Sequence, residues 1–445
     1  MSTIAAVATA LGEGGIAIVR VSGPKAGAIL KDVFRPIGGR KAIKSHRFMY
    51  GHCLDEDGRV IDECMAVFMK GPRSYTREDV AEIHCHGGRM AASLVLKRIT
   101  DLGAVAAQRG EFTRRAFENG RIDLSEAEAV MNVISAGSEA GLRASVRALE
   151  GGASSFIGAC RRRLTDLLSR IEASDDFPEE IDEDVLKEDV IRDAEDMMDK
   201  LLSRADEKRI KAVVDGVSVV LCGRPNVGKS SLMNAILGRE RAIVTEIPGT
   251  TRDILTETIE MDGVRVTLSD TAGLRSTPDQ IERLGVERAV RARQDADIIL
   301  MVIDASVPLT EEDLSMLAER DSRTLVLLNK TDALCDEIKS ARVGEDVRVS
   351  ALRGDGLDEL VQLIRSRVMA FEPEGDILLT ERHTRCAREA AKHLNRAVEA
   401  LRQGAPADVA AVDLWDARRT LGEITGEDAT EAVIDAVFSN FCVGK

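Results

Sequence analysis

The eight residues GRPNVGKS at positions 223–230 constrain the fold of this chain more than any other feature. They match the phosphate-binding pattern G-x-x-x-x-G-K-[ST], follow the apolar run VSVVLC, and precede SLMNAILG, which has the spacing of an amphipathic helix. The glycines let the backbone curl so that its N–H groups face phosphate oxygens, and the start of the following helix adds favourable positive potential. This order of strand, loop and helix predicts an α/β domain that binds a nucleotide.

Two side chains at the end of this loop carry the expected chemistry. Lys229 would neutralise the β- and γ-phosphates, which makes it a candidate catalytic residue, and Ser230 would ligate Mg²⁺. A chance glycine-rich turn is the alternative, and the strand and helix on either side of the loop argue against it. Further phosphate contacts are expected from the neighbouring residues Asn226, Val227, Gly228 and Ser231.

Two further motifs indicate how Mg²⁺ and the γ-phosphate are held. DTAG at residues 270–273 closes the strand-like run VRVTLSD, and GTTRD at residues 249–253 lies between it and the phosphate loop. Asp270, at a strand end, can hold Mg²⁺ through water, and the Gly273 N–H can approach the γ-phosphate. The position of GTTRD is typical of a switch loop that becomes ordered when the γ-phosphate is present. Thr251 is therefore the expected second Mg²⁺ ligand and a candidate catalytic residue.

NKTD at residues 329–332 follows the strand-like run RTLVLLN and indicates which base is bound. The Asp332 carboxylate can accept hydrogen bonds from guanine N1–H and the 2-amino group together, an arrangement that adenine does not offer. Asn329 supports the loop and the base edge, and Lys330 covers the ring plane. The next strand-like run ends in three residues that can offer a backbone N–H to guanine O6, namely Ser350, Ala351 and Leu352. The phosphate loop, DTAG, NKTD and these three residues are four motifs in the right order at strand ends, and together they predict a site for GTP rather than ATP.

The residue after DTAG limits the mechanism of hydrolysis. It is Leu274, whereas Ras-type enzymes have a glutamine there that orients the attacking water. Hydrolysis must therefore use other groups, and Glu282 and Arg275 are the candidates in this segment. The residues alone leave open whether either is catalytic or lies on a solvated face.

Length and charge limit the classes of protein that remain. A chain of 445 residues is expected to hold two or three domains, and a hydrophobic content of 44% is ample for their cores. The net charge of −15 argues against a nonspecific nucleic-acid binder. Residues 1–120 nevertheless carry 18 basic and 13 acidic residues, so a nucleic-acid surface remains open there. The acidic residues of 172–207 are expected to form a solvated helical face.

The cysteines and the N-terminus point to a cytoplasmic protein without a membrane span. Eight cysteines without a C-x-x-C pair suggest neither a zinc site nor a disulfide framework. The start of the chain lacks the basic residues of a signal peptide, and no apolar run is long enough to span a membrane. His84 and His86 could suggest a metal site. Cys85 between them should face the other side of a strand, and no other ligand cluster lies nearby in the sequence.

The pattern of apolar residues divides the chain into four segments. Residues 1–118 are mixed and contain short alternating strand-like runs, and residues 119–213 are helical. Residues 214–370 alternate strands and helices in the manner of a mostly parallel sheet, and residues 371–445 return to helix. The economical architecture is a multidomain α/β plus α chain in which an α/β domain is inserted into a helical one.

The motifs together resemble one family over nearly the whole chain. The nucleotide motifs GRPNVGKS, GTTRD, DTAGLR and NKTD, with FCVGK at residues 441–445, are similar to those of MnmE (also called TrmE), the tRNA modification GTPases. A C-terminal Cys-x-Gly-Lys combined with an inserted GTPase domain is highly specific. Other similar stretches are GIAIVRVSG (15–23), SYTREDVAEIHCHGG (74–88), GEFTRRAFENGRIDLSEAEAV (110–130) and DFPEEID (176–182).

The resemblance implies both an architecture and a reaction. Residues 1–118 should form an α+β domain that binds a tetrahydrofolate derivative (5-formyl or 5,10-methylene) and builds a homodimer. A discontinuous helical domain should carry the inserted Ras-like P-loop GTPase domain. Family members act with the flavin-dependent partner MnmG (GidA), in a heterotetramer or larger complex. They use a folate one-carbon unit to add an aminomethyl-type (carboxymethylaminomethyl) group to C5 of the wobble uridine of tRNA.

The resemblance also implies a GTPase that is activated by K⁺. Asn226 matches the potassium-binding asparagine of the family. Thr245, Ile247 and Thr250 match the loop whose backbone oxygens wrap the ion beside the nucleotide. A bound potassium ion would stabilise charge on the transferring phosphoryl group, as an arginine finger does elsewhere. Glu282 matches the catalytic glutamate of the family, which positions the attacking water indirectly.

Four residues match the folate contacts of the family, namely Arg20, Glu82, Arg121 and Lys445. A carboxylate such as Glu82 can accept from the pterin amino groups, and arginine or lysine can pair with the acidic tail of the ligand. Arg121 stands where some family members have lysine, which keeps the charge and changes the contact geometry. Cys442 is either a functional group near this site or a small residue that packs the tail, and both interpretations remain open.

Two other functions fit part of the sequence. A regulatory RNA-binding GTPase of the ribosome-assembly type would share every nucleotide motif, but it would have no use for a folate-sized site. A folate-dependent aminomethyltransferase with a vestigial GTPase domain would not need every nucleotide motif intact. The N-terminal segment and the tail FCVGK therefore distinguish the modification enzyme from the regulatory GTPase.

Overall fold

A computed structural model describes residues 2–10, 12–38, 43–177, 179, 182–239, 256–270, 291–340, 343–371 and 378–445. The chain divides into two compact units. The first comprises Met1–Met131, Ala148–Leu201 and Arg385–Lys445, and the second comprises Asn132–Arg147 and Leu202–Thr384. Helical residues from both sides of the α/β segment thus share the first unit, although that segment separates them in the sequence. The exact domain boundaries expected from the sequence stay a prediction.

The described residues of the first unit include seven strands that form one sheet. They are β1 Ile4–Val7, β2 Gly14–Ser22, β3 Phe34–Pro36, β4 Met49–Leu54, β5 Val60–Met69, β6 Val80–Gly87 and β7 Val105–Ala106. The order across the sheet is β3-β4-β5-β6-β2-β1-β7. Neighbouring strands are antiparallel except for β1 and β7, which run parallel.

Alternation along β2 and β6 decides which side chains line each face of this sheet. Val19 and Ile83 are buried in the core, and their positions face each other in the register. The next pair, Arg20 and Glu82, must point to the opposite face because side chains alternate along a strand. Two helices pack against the core face, namely Ala26–Val33 and Arg89–Asp101.

The first unit also contains several long helices. Helix Ala407–Thr425 packs along helix Gly152–Asp176, and both bury leucines at helical spacing, such as Leu164 and Leu414. Arg161, which is buried, pairs with Asp428 at 2.8 Å. The other helices that lie wholly or mostly in this unit are Glu111–Glu118, Leu124–Ser135, Glu183–Arg204, Glu381–Arg402 and Glu431–Ser439.

The described residues of the second unit include six strands that form another sheet. They are β8 Val217–Cys222, β9 Thr256–Met261, β10 Val264–Asp270, β11 Ile298–Asp304, β12 Thr324–Asn329 and β13 Val347–Arg348. The order is β13-β12-β11-β8-β10-β9, and only the edge pair β9 and β10 is antiparallel. All seven residues of β11 are buried, as expected for a central strand covered on both faces.

Helices flank this sheet, and the carboxyl ends of its parallel strands meet at one edge, where ligands bind in folds of this kind. The prediction of a multidomain α/β plus α fold is confirmed. None of the described helices combines the length and the apolar character that a membrane span requires. The described residues of the second unit include most of helix Glu139–Leu149 and five further α-helices, Glu207–Val214, Lys229–Leu237, Glu311–Ala318, Asp336–Ser340 and Leu357–Met369.

Candidate functional site

The phosphate loop lies between β8 and helix Lys229–Leu237, and two of its glycines are required by the backbone. Gly223 has φ +141°, and a Cβ there would lie 2.3 Å from the Val302 carbonyl oxygen. Gly228 has φ +95°, and a Cβ there would lie 2.4 Å from Asn329 Nδ2. Both positions combine a left-handed φ with a close backbone or side-chain approach, so a side chain at either would displace the loop.

The polar groups expected at the phosphates and at Mg²⁺ lie together at the end of this loop. Lys229 is buried, and its Nζ donates to the carbonyl oxygens of Gly223 and Arg224, each at 2.8 Å. Ser230 Oγ donates to Asp270 Oδ2 at 2.6 Å, and Asp270 is buried at the end of β10. The hydroxyl and the carboxylate thus form an adjacent oxygen pair, which suits a hard cation such as Mg²⁺.

The NKTD motif contacts both the phosphate loop and the strand end at residues 350–352. Asn329 is buried, its Nδ2 donates to the Val227 carbonyl oxygen at 2.8 Å, and its Oδ1 accepts from Ala351 N–H at 3.1 Å. Ser350 Oγ donates to Asp332 Oδ1 at 2.6 Å. This hydrogen bond lowers the pKa of Asp332, so its carboxylate is ionised at neutral pH. The structure therefore brings together motifs that are about 100 residues apart, because β8 and β12 end at the same edge.

Asp304 is a further acidic residue at this edge, and the sequence patterns did not single it out. Lys330 Nζ donates to Asp304 Oδ2 at 2.6 Å and to the Asn226 carbonyl oxygen at 2.7 Å. Burial alone would raise the pKa of Asp304, but hydrogen bonds from Lys330 and Ser306 lower it below its ordinary value. The available signal was its place at the end of the apolar run DIILMVID, beside other strand ends that carry site residues.

Several predicted residues lie outside the described part of the chain. They include the residues predicted to bind potassium, the predicted second Mg²⁺ ligand, the glycine whose N–H should approach the γ-phosphate, and the predicted catalytic glutamate. The two residues that follow DTAG also belong to this group. Their roles therefore stay predictions from the sequence and the family resemblance. The residues are Thr245, Ile247, Thr250, Thr251, Gly273, Leu274, Arg275 and Glu282.

A second polar cluster lies on the face of the first sheet opposite the core. Arg20 Nε donates to Glu82 Oε1 at 2.8 Å, across the pair of strands β2 and β6. His84 Nε2 lies 3.2 Å from Glu82 Oε2, the other carboxylate oxygen. Burial alone would raise the pKa of Glu82, but His84 and Arg20 lower it below its ordinary value. An ionised, half-buried carboxylate is the result.

The C-terminal tail reaches this cluster from the far end of the chain. Lys445 O accepts from the Phe112 N–H at 3.2 Å, and Gly444 O accepts from Arg20 Nη1 at 3.4 Å. Gly444 has φ +98°, and a Cβ there would lie 2.4 Å from the Val7 carbonyl oxygen. Only glycine therefore allows the tail to pass this close to the backbone of Val7. Burial and the nearby Arg20 guanidinium lower the pKa of the Lys445 ammonium. A cation thus lies beside Arg20 and Glu82.

Aromatic rings connect this cluster to Arg121. The Arg121 guanidinium lies 4.7 Å from the centre of the Tyr75 ring, and the Arg20 guanidinium lies 5.5 Å from the same ring. Arg20 is also 5.7 Å from the Phe112 ring. The structure therefore brings the four predicted folate contacts to one place. Tyr75 and Phe112 were not predicted individually, although both lie in stretches that carry the family resemblance.

The remaining candidates in this region are the tail cysteine and the histidines of β6. Cys442 is exposed, and its carbonyl oxygen accepts from the Gly110 N–H at 3.4 Å, so both interpretations of its side chain stay open. Cys85 is buried while His86 is exposed and pairs with Asp62 at 2.7 Å, as strand alternation requires. Among the described residues, no group of three or more His, Cys, Asp or Glu could hold a metal ion.

Known proteins and family models match this chain over almost its full length. Residues 3–121 match the family model "GTP-binding protein TrmE N-terminus", and residues 124–442 match "MnmE helical domain". The tRNA modification GTPase MnmE of Parasynechococcus marenigrum (strain WH8102) is 47% identical over 452 residues, covering 100% of this chain and 99% of the relative. That of Moorella thermoacetica (strain ATCC 39073 / JCM 9320) is 43% identical over 462 residues, with the same coverage.

One similar solved structure overlaps the chain only in part. A structure of Aquifex aeolicus Era bound to GDP.AlF4- is 27% identical, covers 40% of this chain and 66% of its own, and has a TM-score of 0.27. An overlap of that quality adds nothing to the assignment, which rests on the family models and the full-length relatives. The chain belongs to the MnmE family of tRNA modification GTPases.

Proposed function

We propose that this chain is a cytoplasmic, Mg²⁺-requiring and K⁺-dependent GTPase that modifies tRNA. With the flavin-dependent partner MnmG, it would add a carboxymethylaminomethyl-type group to C5 of the wobble uridine by using a folate one-carbon unit. The observation that supports this best is one chain that combines a guanine-nucleotide site with a charged and aromatic cluster around Glu82. A regulatory GTPase of the ribosome-assembly type would need only the first of these.

The residues of the nucleotide site suit GTP hydrolysis. Loop N–H groups and Lys229 would hold the phosphates, while Ser230 and Asp270 offer the oxygens that Mg²⁺ takes together with phosphate oxygens. When bound, the ion supplies positive charge where the phosphoryl oxygens become more negative. Thr251 would add a second oxygen ligand, and Glu282 would position the attacking water. Both of these last roles rest on the family resemblance.

The cluster around Glu82 suits a reduced folate. The ionised Glu82 carboxylate can accept hydrogen bonds from the pterin amino groups, as carboxylates do with paired N–H donors. The Tyr75 ring offers an apolar face, and the cations Arg20, Arg121 and Lys445 can pair with the carboxylates of the tail. When bound, the derivative supplies the one-carbon unit, and the chain holds and orients it.

Exposed side chains on the face of the first sheet opposite the core support the proposed homodimer. Tyr50, Met65 and His84 occupy neighbouring register positions across β4, β5 and β6, and Phe48 lies edge-on to His84 at 5.0 Å. The side chains of Ile16, Phe48, Tyr50 and Met65 are all exposed. A row of exposed aromatic and apolar side chains on one face is typical of a protein contact, and we infer a second copy as the partner.

The function can be tested by complementation in a bacterial strain that lacks its own MnmE gene. Expression of the wild-type chain should restore the modified wobble uridine, measured by mass spectrometry of nucleosides from digested tRNA. Glu82→Gln should restore less than about a tenth of it, because a neutral amide replaces a charge-assisted acceptor with a weaker one. The purified Glu82→Gln protein should still hydrolyse GTP at the wild-type rate, because Glu82 is not part of the nucleotide site.

The matched control is Glu56→Gln. Glu56 is exposed in the turn between β4 and β5 of the same sheet, and it belongs neither to the cluster around Glu82 nor to the proposed dimer contact. This variant should restore the modification fully. Full restoration by Glu82→Gln would contradict the folate site. If the wild-type chain hydrolyses GTP but restores no modification, the regulatory GTPase becomes the better explanation.

The cation dependence can be tested on the purified protein. GTP hydrolysis should be at least about tenfold faster in K⁺ than in Na⁺ at equal ionic strength, because the ion adds positive charge at the transferring phosphoryl group. Asn226→Lys should remove the stimulation, since its ammonium would displace the ion. Asn234→Lys, on the exposed side of the following helix, should retain it. Equal wild-type rates in the two salts would rule out the potassium mechanism.

A further inference from the structure

Two residues at the nucleotide site hold an unusual backbone conformation. Asn226 in the phosphate loop and Lys330 in the guanine motif both have φ +62°, in the left-handed region that side chains other than glycine seldom adopt. Such a conformation persists only when its surroundings hold it. The Lys330 ammonium connects the two segments, because its Nζ donates to the Asn226 carbonyl oxygen at 2.7 Å.

Asp304 is the acidic partner of that ammonium. Asp304 ends β11, its carboxylate is buried, and its Oδ2 accepts from Lys330 Nζ at 2.6 Å. The other oxygen, Oδ1, accepts from Ser306 N–H at 2.9 Å and from Ser306 Oγ at 2.5 Å. The carboxylate is therefore fixed by one turn of its own chain and presents a single oxygen to Lys330. An ion pair of this kind restricts a long lysine side chain to one geometry.

We propose that Asp304 is a positioning residue that acts through Lys330 to hold the guanine motif and the phosphate loop in a fixed position relative to each other. This inference rests on the proposed guanine-nucleotide site and deepens it. Asp304 touches neither base nor phosphate in this scheme. It keeps Lys330 where the stem of that side chain can cover the base and its ammonium can bind the Asn226 carbonyl oxygen. Nucleotide affinity, rather than the chemical step, should therefore depend on Asp304.

The expected effect is a weaker affinity for GDP. Asp304→Asn keeps the shape and can still accept from Ser306, but it removes the charge that holds Lys330. The Kd for a fluorescent GDP analogue, measured by equilibrium titration, should rise about tenfold, as expected for the loss of one charge-assisted hydrogen bond. The kcat of GTP hydrolysis at saturating GTP should change less than about twofold. The shift should therefore appear in KM and not in kcat.

A double-mutant cycle separates positioning from a general loss of stability. If Asp304 acts through Lys330, Asp304→Asn should have no further effect on the Kd in a protein that already carries Lys330→Gln. Asp297→Asn is the matched control, because Asp297 directly precedes the same strand and also accepts from a serine N–H and hydroxyl, those of Ser218 at 2.8 and 2.7 Å. That variant should leave the Kd unchanged.

Each outcome decides the proposal. An unchanged Kd in Asp304→Asn, or an equal rise in the Lys330→Gln background, would overturn it. Should Asp304→Asn fail to fold, Ser306→Ala removes one donor to Asp304 and should raise the Kd two- to threefold, roughly the effect of one neutral hydrogen bond. No change in Ser306→Ala would then overturn the proposal. A wild-type protein that does not bind the GDP analogue would instead contradict the proposed function itself.

Discussion

Replacing Lys229 with alanine should lower kcat/KM for GTP by about a thousandfold. The ammonium is buried at the start of helix Lys229–Leu237, and it donates to two carbonyl oxygens of the phosphate loop itself. It is thus held within reach of any phosphate that the loop binds. Removing a preorganised donor that stabilises developing charge commonly costs two to three powers of ten in rate. The loss should appear in single-turnover hydrolysis as well as at steady state.

The control for this variant is Asn234→Ala. Asn234 is exposed on the same helix and is not among the residues predicted to contact phosphate, so this variant should keep kcat/KM within about threefold of wild type. Both variants should unfold near the wild-type temperature in circular dichroism. If Lys229→Ala retained more than about a tenth of the wild-type kcat/KM, the phosphate loop would not be the site of hydrolysis.

Asp332→Asn should change the base that the protein accepts. The Asp332 carboxylate can accept from two N–H groups of guanine, and removing its charge should weaken GTP binding by about 10²–10⁴-fold, the sum of two charge-assisted hydrogen bonds. The asparagine amide can instead donate to the second carbonyl group of xanthine. The variant should therefore hydrolyse xanthosine triphosphate faster than GTP, the reverse of the wild-type preference. Competition between the two nucleotides in one hydrolysis assay measures this directly.

The state of ionisation of Asp332 adds a second check. Ser350 lowers the pKa of Asp332, so the carboxylate stays charged as the pH falls from neutral to about 5, above the ordinary range of an aspartate. The preference for GTP over ATP, which carry the same phosphates, should thus be nearly constant over that interval and decline only as the pH falls through the lowered pKa. Asp336→Asn, an exposed carboxylate nearby that pairs with Lys339, is the control and should retain the guanine preference. A variant at Asp332 that still prefers GTP would contradict the assigned base contact.

Local patterns were enough to predict the phosphate loop and the guanine motif. GRPNVGKS and NKTD are continuous in sequence, and the backbone conformation they need follows from their own residues, such as the left-handed φ of Gly228. The strand-and-helix alternation around them predicted the sheet of the second unit correctly. The family resemblance supplied the folate candidates, which composition and spacing alone would not have selected. Asp304 was missed because its one sequence signal, a place at the end of the apolar run DIILMVID, belongs to no motif.

The sequence by itself thus determined the class of fold, the nucleotide motifs and the family. Only the tertiary structure decided which distant residues meet. Arg20 and Gly444 are 424 residues apart and are joined because the register of β2 and β6 fixes Arg20 beside Glu82, while the tail passes close to Val7 at a glycine. Asp304 meets Lys330 because parallel strands end at the same edge of a sheet. Register and close approach depend on the packing of whole strands, which no short stretch of sequence encodes.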